Sequence, residues 1–211
     1  MKNLSLKIAS FIVLIVVGCQ TVSAFGASSR AQLRDGDIIF QTSKSAQSLA
    51  IQKATHSKYS HMGIIFFRDG KPYVYEAIKT VQYTPLKEWI VRGNGGRYVV
   101  KRLRDAGKIL TPEAFARLRK AAALFHGKPY DLTFEWFDNR IYCSELVWKI
   151  YDRALGLHLG RIQKLHEFDL SDPVVKARMK ERYGRAIPID ENVISPGEIF
   201  SCKELVKVVE N

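Results

Sequence analysis

The chain has 211 residues, 46% hydrophobic and 11% aromatic, with 33 lysines and arginines against 21 acidic residues and a net charge of +12. This is the composition of a globular chain, long enough to bury a core without a disulfide framework or a structural metal. Three cysteines, Cys19, Cys143 and Cys202, show no C-x-x-C spacing and five histidines show no H-E-x-x-H spacing, so the common zinc patterns are excluded.

Residues 1–24 read as an export signal. Lys2 and Lys7 make a basic start, Ile8 to Gly18 an apolar run, and Cys19 to Ala24 a small-residue cleavage zone. The run of eleven residues is short of the roughly 20 needed to span a bilayer. Val22-Ser23-Ala24 fits cleavage before Phe25, giving a soluble exported protein. Val16-Val17-Gly18-Cys19 is similar to a bacterial lipobox, with cleavage before Cys19 and a lipid anchor on it, and the two routes remain open. Either way the mature chain keeps 31 basic and 21 acidic residues, a net +10. The cations are dispersed (Lys101–Arg104, Arg117–Lys120, Lys176–Arg185) and not interleaved with aromatics, so anionic lipid or wall polymer is the expected partner and nucleic acid is not.

In the mature chain Gly36 to Phe40 reads as a strand, and Ser45 to Ala54 as a helix with Ser43 or Ser45 as N-cap. Ser60 to Phe67 and Pro72 to Ile78 are β-rich runs around Asp69-Gly70, a hairpin signature. Arg97 to Leu103 is expected to join the same sheet. Thr111-Pro112-Glu113 starts a helix that turns Phe115, Leu118, Ala122 and Phe125 inward and ends at Gly127. Asp131 to Ile141 is irregular. Cys143 to Leu155 has helical spacing of Leu146, Val147, Ile150, Tyr151 and Ala154, a further helix is expected around Pro173 to Tyr183, and Ser195-Pro196-Gly197 punctuates the tail. Together these give one α+β domain over residues 33–205.

Cys143 begins its helix, where the dipole and unpaired amides favour a thiolate and the backbone N–H can bind an oxyanion. A buried structural thiol is the competing reading. A two-residue Asp69-Gly70 turn sets Arg68 opposite Lys71, Gly63 opposite Glu76 and His61 opposite Ile78. All four of His61, Gly63, Glu76 and Ile78 then share one face, with Glu76 diagonal to His61 and Gly63 leaving space over the ring. A carboxylate on one ring nitrogen leaves the other to act as base for a thiol. A bulged turn would flip Glu76 away.

Gly127-Lys128-Pro129-Tyr130, Cys143-Ser144-Glu145-Leu146-Val147 and Ser60-His61-Met62-Gly63-Ile64 resemble the G-x-P-Y, C-S-x-L-V and S-H-V-G-I elements of the NlpC-type cell-wall cysteine peptidases. In those peptidases the Cys helix precedes the His strand. Here it follows, the order of their circularly permuted relatives, the permuted papain-like amidases of the YiiX type, which Gly36 to Phe40, Ala54 to Ser57, Val74 to Ala77, Tyr83 to Leu86 and Ile194 to Pro196 also resemble. The resemblance implies a papain-like α+β core, a helix bearing the nucleophile on a small antiparallel sheet. It makes Cys143 the nucleophile, His61 the base and Glu76 the third residue, with Tyr130 and Tyr142 as candidates for lining the site or donating to the oxyanion. Glu145 stands where the non-permuted peptidases have Gly, as in the permuted family. Neither metal nor organic cofactor is implied. The expected activity is that of an exported cysteine amidase or peptidase on cell-wall peptides. Alternatives are an acyltransferase or thioesterase on lipid, with Phe134, Trp136 and Phe137 lining an acyl groove, and a non-catalytic envelope-binding module. His56 is expected at the surface and Cys202 as a packed thiol.

Overall fold

The computed structural model describes residues 32–211, so the export signal read in residues 1–24 lies outside the described part. Six strands, β1 (Ile38–Gln41), β2 (His61–Arg68), β3 (Lys71–Ala77), β4 (Val81–Pro85), β5 (Val99–Leu103) and β8 (Leu205–Glu210), pair in the order β4-β3-β2-β1-β5-β8, every pair antiparallel. A separate two-stranded ribbon joins β6 (Gln163–Lys164) to β7 (Asn192–Val193). Seven α-helices, α1 (Ser48–Thr55), α2 (Leu86–Val91), α3 (Ala106–Ile109), α4 (Pro112–Ala123), α5 (Cys143–Leu155), α6 (Pro173–Tyr183) and α7 (Pro196–Ser201), and two 3₁₀ turns, Asn94–Gly96 and Leu165–Glu167, complete the described chain. None is long and apolar enough to cross a membrane.

The central hairpin has the expected register. Asp69 and Gly70 both sit in the left-handed region, at φ 50° and 71°, the requirement of a two-residue type I′ turn. From there Arg68 faces Lys71 and Ile64 faces Tyr75, with no bulge between them. The period-2 alternation then builds two cores. Ile38, Phe40, Met62, Ile64, Phe66 and Tyr75 point into the larger one, with Leu118 and Ala122 of α4 and Leu146, Val147, Ile150 and Tyr151 of α5. Ile39, Ile65, Val74 and Val100 point the other way, onto Trp89 of α2. A buried bidentate pair locks β1 to β5: Arg102 donates through Nε and Nη2 to the two carboxylate oxygens of Asp37, at 2.6 and 2.8 Å.

Several helix boundaries follow the sequence. Thr111 Oγ1 caps α4 by accepting the Ala114 N–H at 3.3 Å, Asp172 caps α6, and α5 runs from Cys143 to Leu155, ended by Gly156 at a φ of 66°. Other boundaries differ. The first helix begins at Ser48, and neither Ser43 nor Ser45 caps it. Instead Ser43 Oγ accepts the Ser45 N–H at 2.9 Å and donates to Ser45 Oγ, closing a local turn. Helix α4 stops at Ala123, short of Gly127. Phe115 is only half-buried, and Phe125 reaches the core from the turn that follows. Ser195-Pro196-Gly197 opens α7 rather than breaking the chain, since Ser195 Oγ accepts the Glu198 N–H at 3.0 Å.

Candidate active site

His61 is the first residue of β2 and Glu76 the penultimate residue of β3. The diagonal relation between them closes into a 2.5 Å contact from His61 Nε2 to Glu76 Oε2. Glu76 is fully buried, and its other oxygen accepts from Thr84 Oγ1 at 2.5 Å and from Arg92 Nη2. Burial alone would raise the Glu76 carboxyl; the His61 hydrogen bond and charge, then Arg92 and Thr84, outweigh it and hold the pKa below the usual value. Trp89 stacks beside the imidazole at a ring separation of 6.0 Å. Gly63 does not leave space over the ring, as its place on the shared face had suggested. A Cβ there would lie 2.5 Å from Val74 Cγ1 and 2.6 Å from the Tyr75 carbonyl oxygen, so this glycine lets β2 approach the part of β3 that carries Glu76.

Cys143, buried, opens α5 with its thiol free of any disulfide. Burial by itself would lower the His61 pKa. The hydrogen bonds to Cys143 and Glu76, reinforced by both charges, reverse this and raise it to about 9. The imidazole thus rests on the Glu76 carboxylate, with the Cys143 thiol near enough for its charge to act on the ring. Behind Cys143, Glu145 accepts the Tyr142 N–H at 3.4 Å and lies 2.6 Å from Lys149 Nζ, while burial pushes its pKa up to about 8. Ser144 Oγ donates to the Ile194 carbonyl at 2.8 Å, anchoring the helix start to β7's exit.

Both tyrosines line the recess that Cys143 borders, with different partners. Tyr130 borders Cys143, accepts from Gln47 Nε2 at 2.8 Å and keeps its own hydroxyl proton for another acceptor. Tyr142 is buried, accepts the Ile194 N–H at 3.1 Å and packs edge-on against Phe134, forming with it part of the wall of the recess that Cys143 borders. His56 is exposed beside Asp169. Cys202 is a buried thiol near Glu204, pushed up in pKa first by burial. Of the three aromatics expected in an acyl groove, Phe134 alone lines it; Trp136 packs on Trp148 and Phe137 is exposed.

Two recesses meet at this centre. One is a narrow apolar groove of about 70 Å³ between α1, α6 and the start of α5, walled by Ala50, Ile51, Phe134, Val175, Met179 and Val193, with Cys143 on it. The other is a wider cleft on the His61 side, rimmed by the cations Lys44, Arg92, Arg140, Arg178 and Arg182. Gln47, Tyr130, Arg178 and Arg182 belong to both. Sequence reasoning did not reach Thr84, Arg92, Gln47 or Arg182. It also missed Gln41, the β1 partner of His61, which borders the cleft and whose buried Oε1 has no hydrogen-bond partner.

A family model described as "Permuted papain-like amidase enzyme, YaeF/YiiX, C92 family" matches residues 32–209. The uncharacterized protein YiiX of Escherichia coli (strain K12) is 51% identical over 179 residues, covering 85% of this chain and 87% of that protein. A crystal structure described as the metalloprotein YiiX from Escherichia coli O157:H7 is 52% identical, with a TM-score of 0.82 over 85% of this chain and 98% of that one. Among the described residues of the present chain no group of three or more His, Cys, Asp and Glu side chains converges to hold a metal ion. The reactive centre offers too few donors, because Glu76 spends one oxygen on His61 and the other on Thr84 and Arg92. The donor set therefore does not fit a resident metal.

Proposed function

Because this chain belongs to the permuted papain-like amidase family, a group of cysteine-peptidase type, we propose that it is an exported cysteine amidase that cleaves an amide whose acyl side is an apolar chain. The Cys143 thiolate attacks the amide carbonyl, and the oxyanion forms near the Cys143 N–H, which heads α5, and the Tyr130 hydroxyl. Protonated His61 donates to the departing amine, leaving a thioester on Sγ. Water, activated by the now neutral His61, then hydrolyses that thioester. Glu76 orients the ring and stabilises its charge throughout.

The observation that carries this reading is the groove that ends on Cys143. Its walls are carbon from two helices and β7, a surface that gains by taking an acyl chain out of water and offers little to a polar wall peptide. It therefore favours the lipid side of the sequence expectation over the wall-peptide side. The same groove supports acyl transfer wherever an acceptor other than water reaches the thioester.

The test is intact-mass analysis of the protein mixed with N-lauroyl-glycine or with a muropeptide. A laurate adduct on Cys143, absent in Cys143→Ala, together with release of glycine, is expected. Cleavage of the muropeptide with neither adduct nor glycine release would overturn the acyl-chain assignment.

A further inference from the structure

The two recesses divide the labour of the reaction. The thiol lies on the apolar groove, so the acyl half of a substrate lies there. His61 lies on the cleft, and the imidazolium must deliver its proton to the leaving amine, so the leaving half enters the cleft.

That cleft is cationic beyond what its own acids neutralise. Arg92 is committed to Glu76, Arg178 to Glu181 at 2.5 Å, and Arg140 to Glu135 at 2.7 Å. Two cations remain. Lys44 Nζ meets only the Val91 carbonyl oxygen, at 3.2 Å. Arg182 has no carboxylate within 4 Å among the described residues; it lies over the Phe134 ring at 4.5 Å and donates to Gln47 Oε1 at 2.6 Å. Gln47 in turn donates to Tyr130, so Arg182, Gln47 and Tyr130 form a hydrogen-bonded bar where groove and cleft meet. A half-buried guanidinium on an aromatic face, its charge left without a counter-ion, is a costly arrangement that an incoming anion relieves. Burial draws the Arg182 pKa down from the usual arginine value, the signature of that desolvation.

We propose that the leaving group is an anionic amine, one that bears a carboxylate or a phosphate, and that Arg182 selects it. The inference rests on the amidase reading for the word leaving, but the recognition of an apolar chain joined to an anion is a binding property and is measured without turnover.

The experiment uses Cys143→Ala protein and calorimetric titration with three ligands of one chain length: N-lauroyl-glycine, the phosphate monoester of N-lauroyl-ethanolamine, and neutral N-lauroyl-glycinamide. The anionic ligands are expected to bind about tenfold more tightly or better than the amide, a charge-assisted hydrogen bond's worth of affinity, and the stronger of the two names the anion. In Arg182→Gln on the same background the preference collapses while affinity for the amide holds; Arg182→Lys, which keeps the charge, retains part of the preference. Equal affinities for the three ligands, or an undiminished preference in Arg182→Gln, would overturn the assignment. If the charge preference is found but the wild type hydrolyses none of the three, the amidase reading fails and the anion site stands.

Discussion

The proton on His61 is decided by a contest that Glu76 tips. Burial alone favours the neutral ring, and the hydrogen bonds and charges of Cys143 and Glu76 carry the pKa to about 9. Glu76→Gln keeps a hydrogen-bonding group of the same shape but removes its charge, leaving burial opposed by Cys143 alone. The alkaline limb of the pH profile of kcat/KM is therefore expected to move to lower pH, and the rate at neutral pH to fall by roughly two to four orders of magnitude. A pH profile of the variant that keeps the wild-type alkaline limb would remove Glu76 from this role. At this scale the His61–Glu76 pair was legible because one tight turn fixes a register that carries both onto one face. Thr84 and Arg92, which saturate the far oxygen of Glu76, were not. They come from β4 and the end of α2, elements whose pairing no local pattern announces. Arg182 and Gln47 meet only because α6 packs on α1, across more than a hundred residues of sequence.

Strands and helices with a sharp local signal were read close to their observed limits. The hairpin had its Asp-Gly turn, α4 its Thr-Pro start and α5 its periodic apolar face. The edge strands β4 and β8 were missed, since both are short and partly exposed and take their shape from the neighbour they pair with. The six-residue α2 was missed because its one buried residue, Trp89, gives no periodicity. The same coupling of elements makes Gly63 testable. An added methyl meets Val74 and, more seriously, the Tyr75 carbonyl, which cannot rotate away. Gly63→Ala is expected to cost about 1–3 kcal/mol in urea unfolding and to slow iodoacetamide labelling of Cys143, because relief comes from moving the strand that holds Glu76. Gly70→Ala is the control. It meets no atom within 4 Å, but its φ of 71° strains any side chain, so it should lose about 1 kcal/mol and leave labelling unchanged. Equal labelling in the two variants would separate Gly63 from the active site.

Over the whole molecule, stability depends on how the buried ionisable groups sum with a strongly basic surface. Glu145 has a folded pKa of about 8 against an ordinary 4.5, so the fold holds its proton more tightly than the unfolded chain does. Its contribution is complete below about 4.5 and is lost as pH rises through about 8. His61, raised from 6.5 to about 9, acts in the same sense over a higher window. Glu76, whose pKa is lowered, acts oppositely and only in acid, contributing above the ordinary carboxylate range and losing that contribution as pH falls through its depressed value. Between pH 6 and 9, then, Glu145 and His61 both weaken the fold as pH rises, each by at most about 1.4 kcal/mol per pH unit. The net charge of +12 pulls the other way, because raising the pH reduces it and relieves self-repulsion. Those surface charges are screened over about 8 Å at physiological salt, whereas Glu145 is buried and is not. The buried groups should win, and Tm at 0.15 M salt is expected to fall from pH 6 to pH 9. Glu145→Gln, which retains an oxygen to accept the Tyr142 N–H but has no proton to lose, should flatten the part of that decline below pH 8 and leave the His61 part above it. Parallel curves of Tm against pH for the two proteins would mean that Glu145 is ionised in the fold throughout, and that its pairing with Lys149 outweighs the cost of its burial.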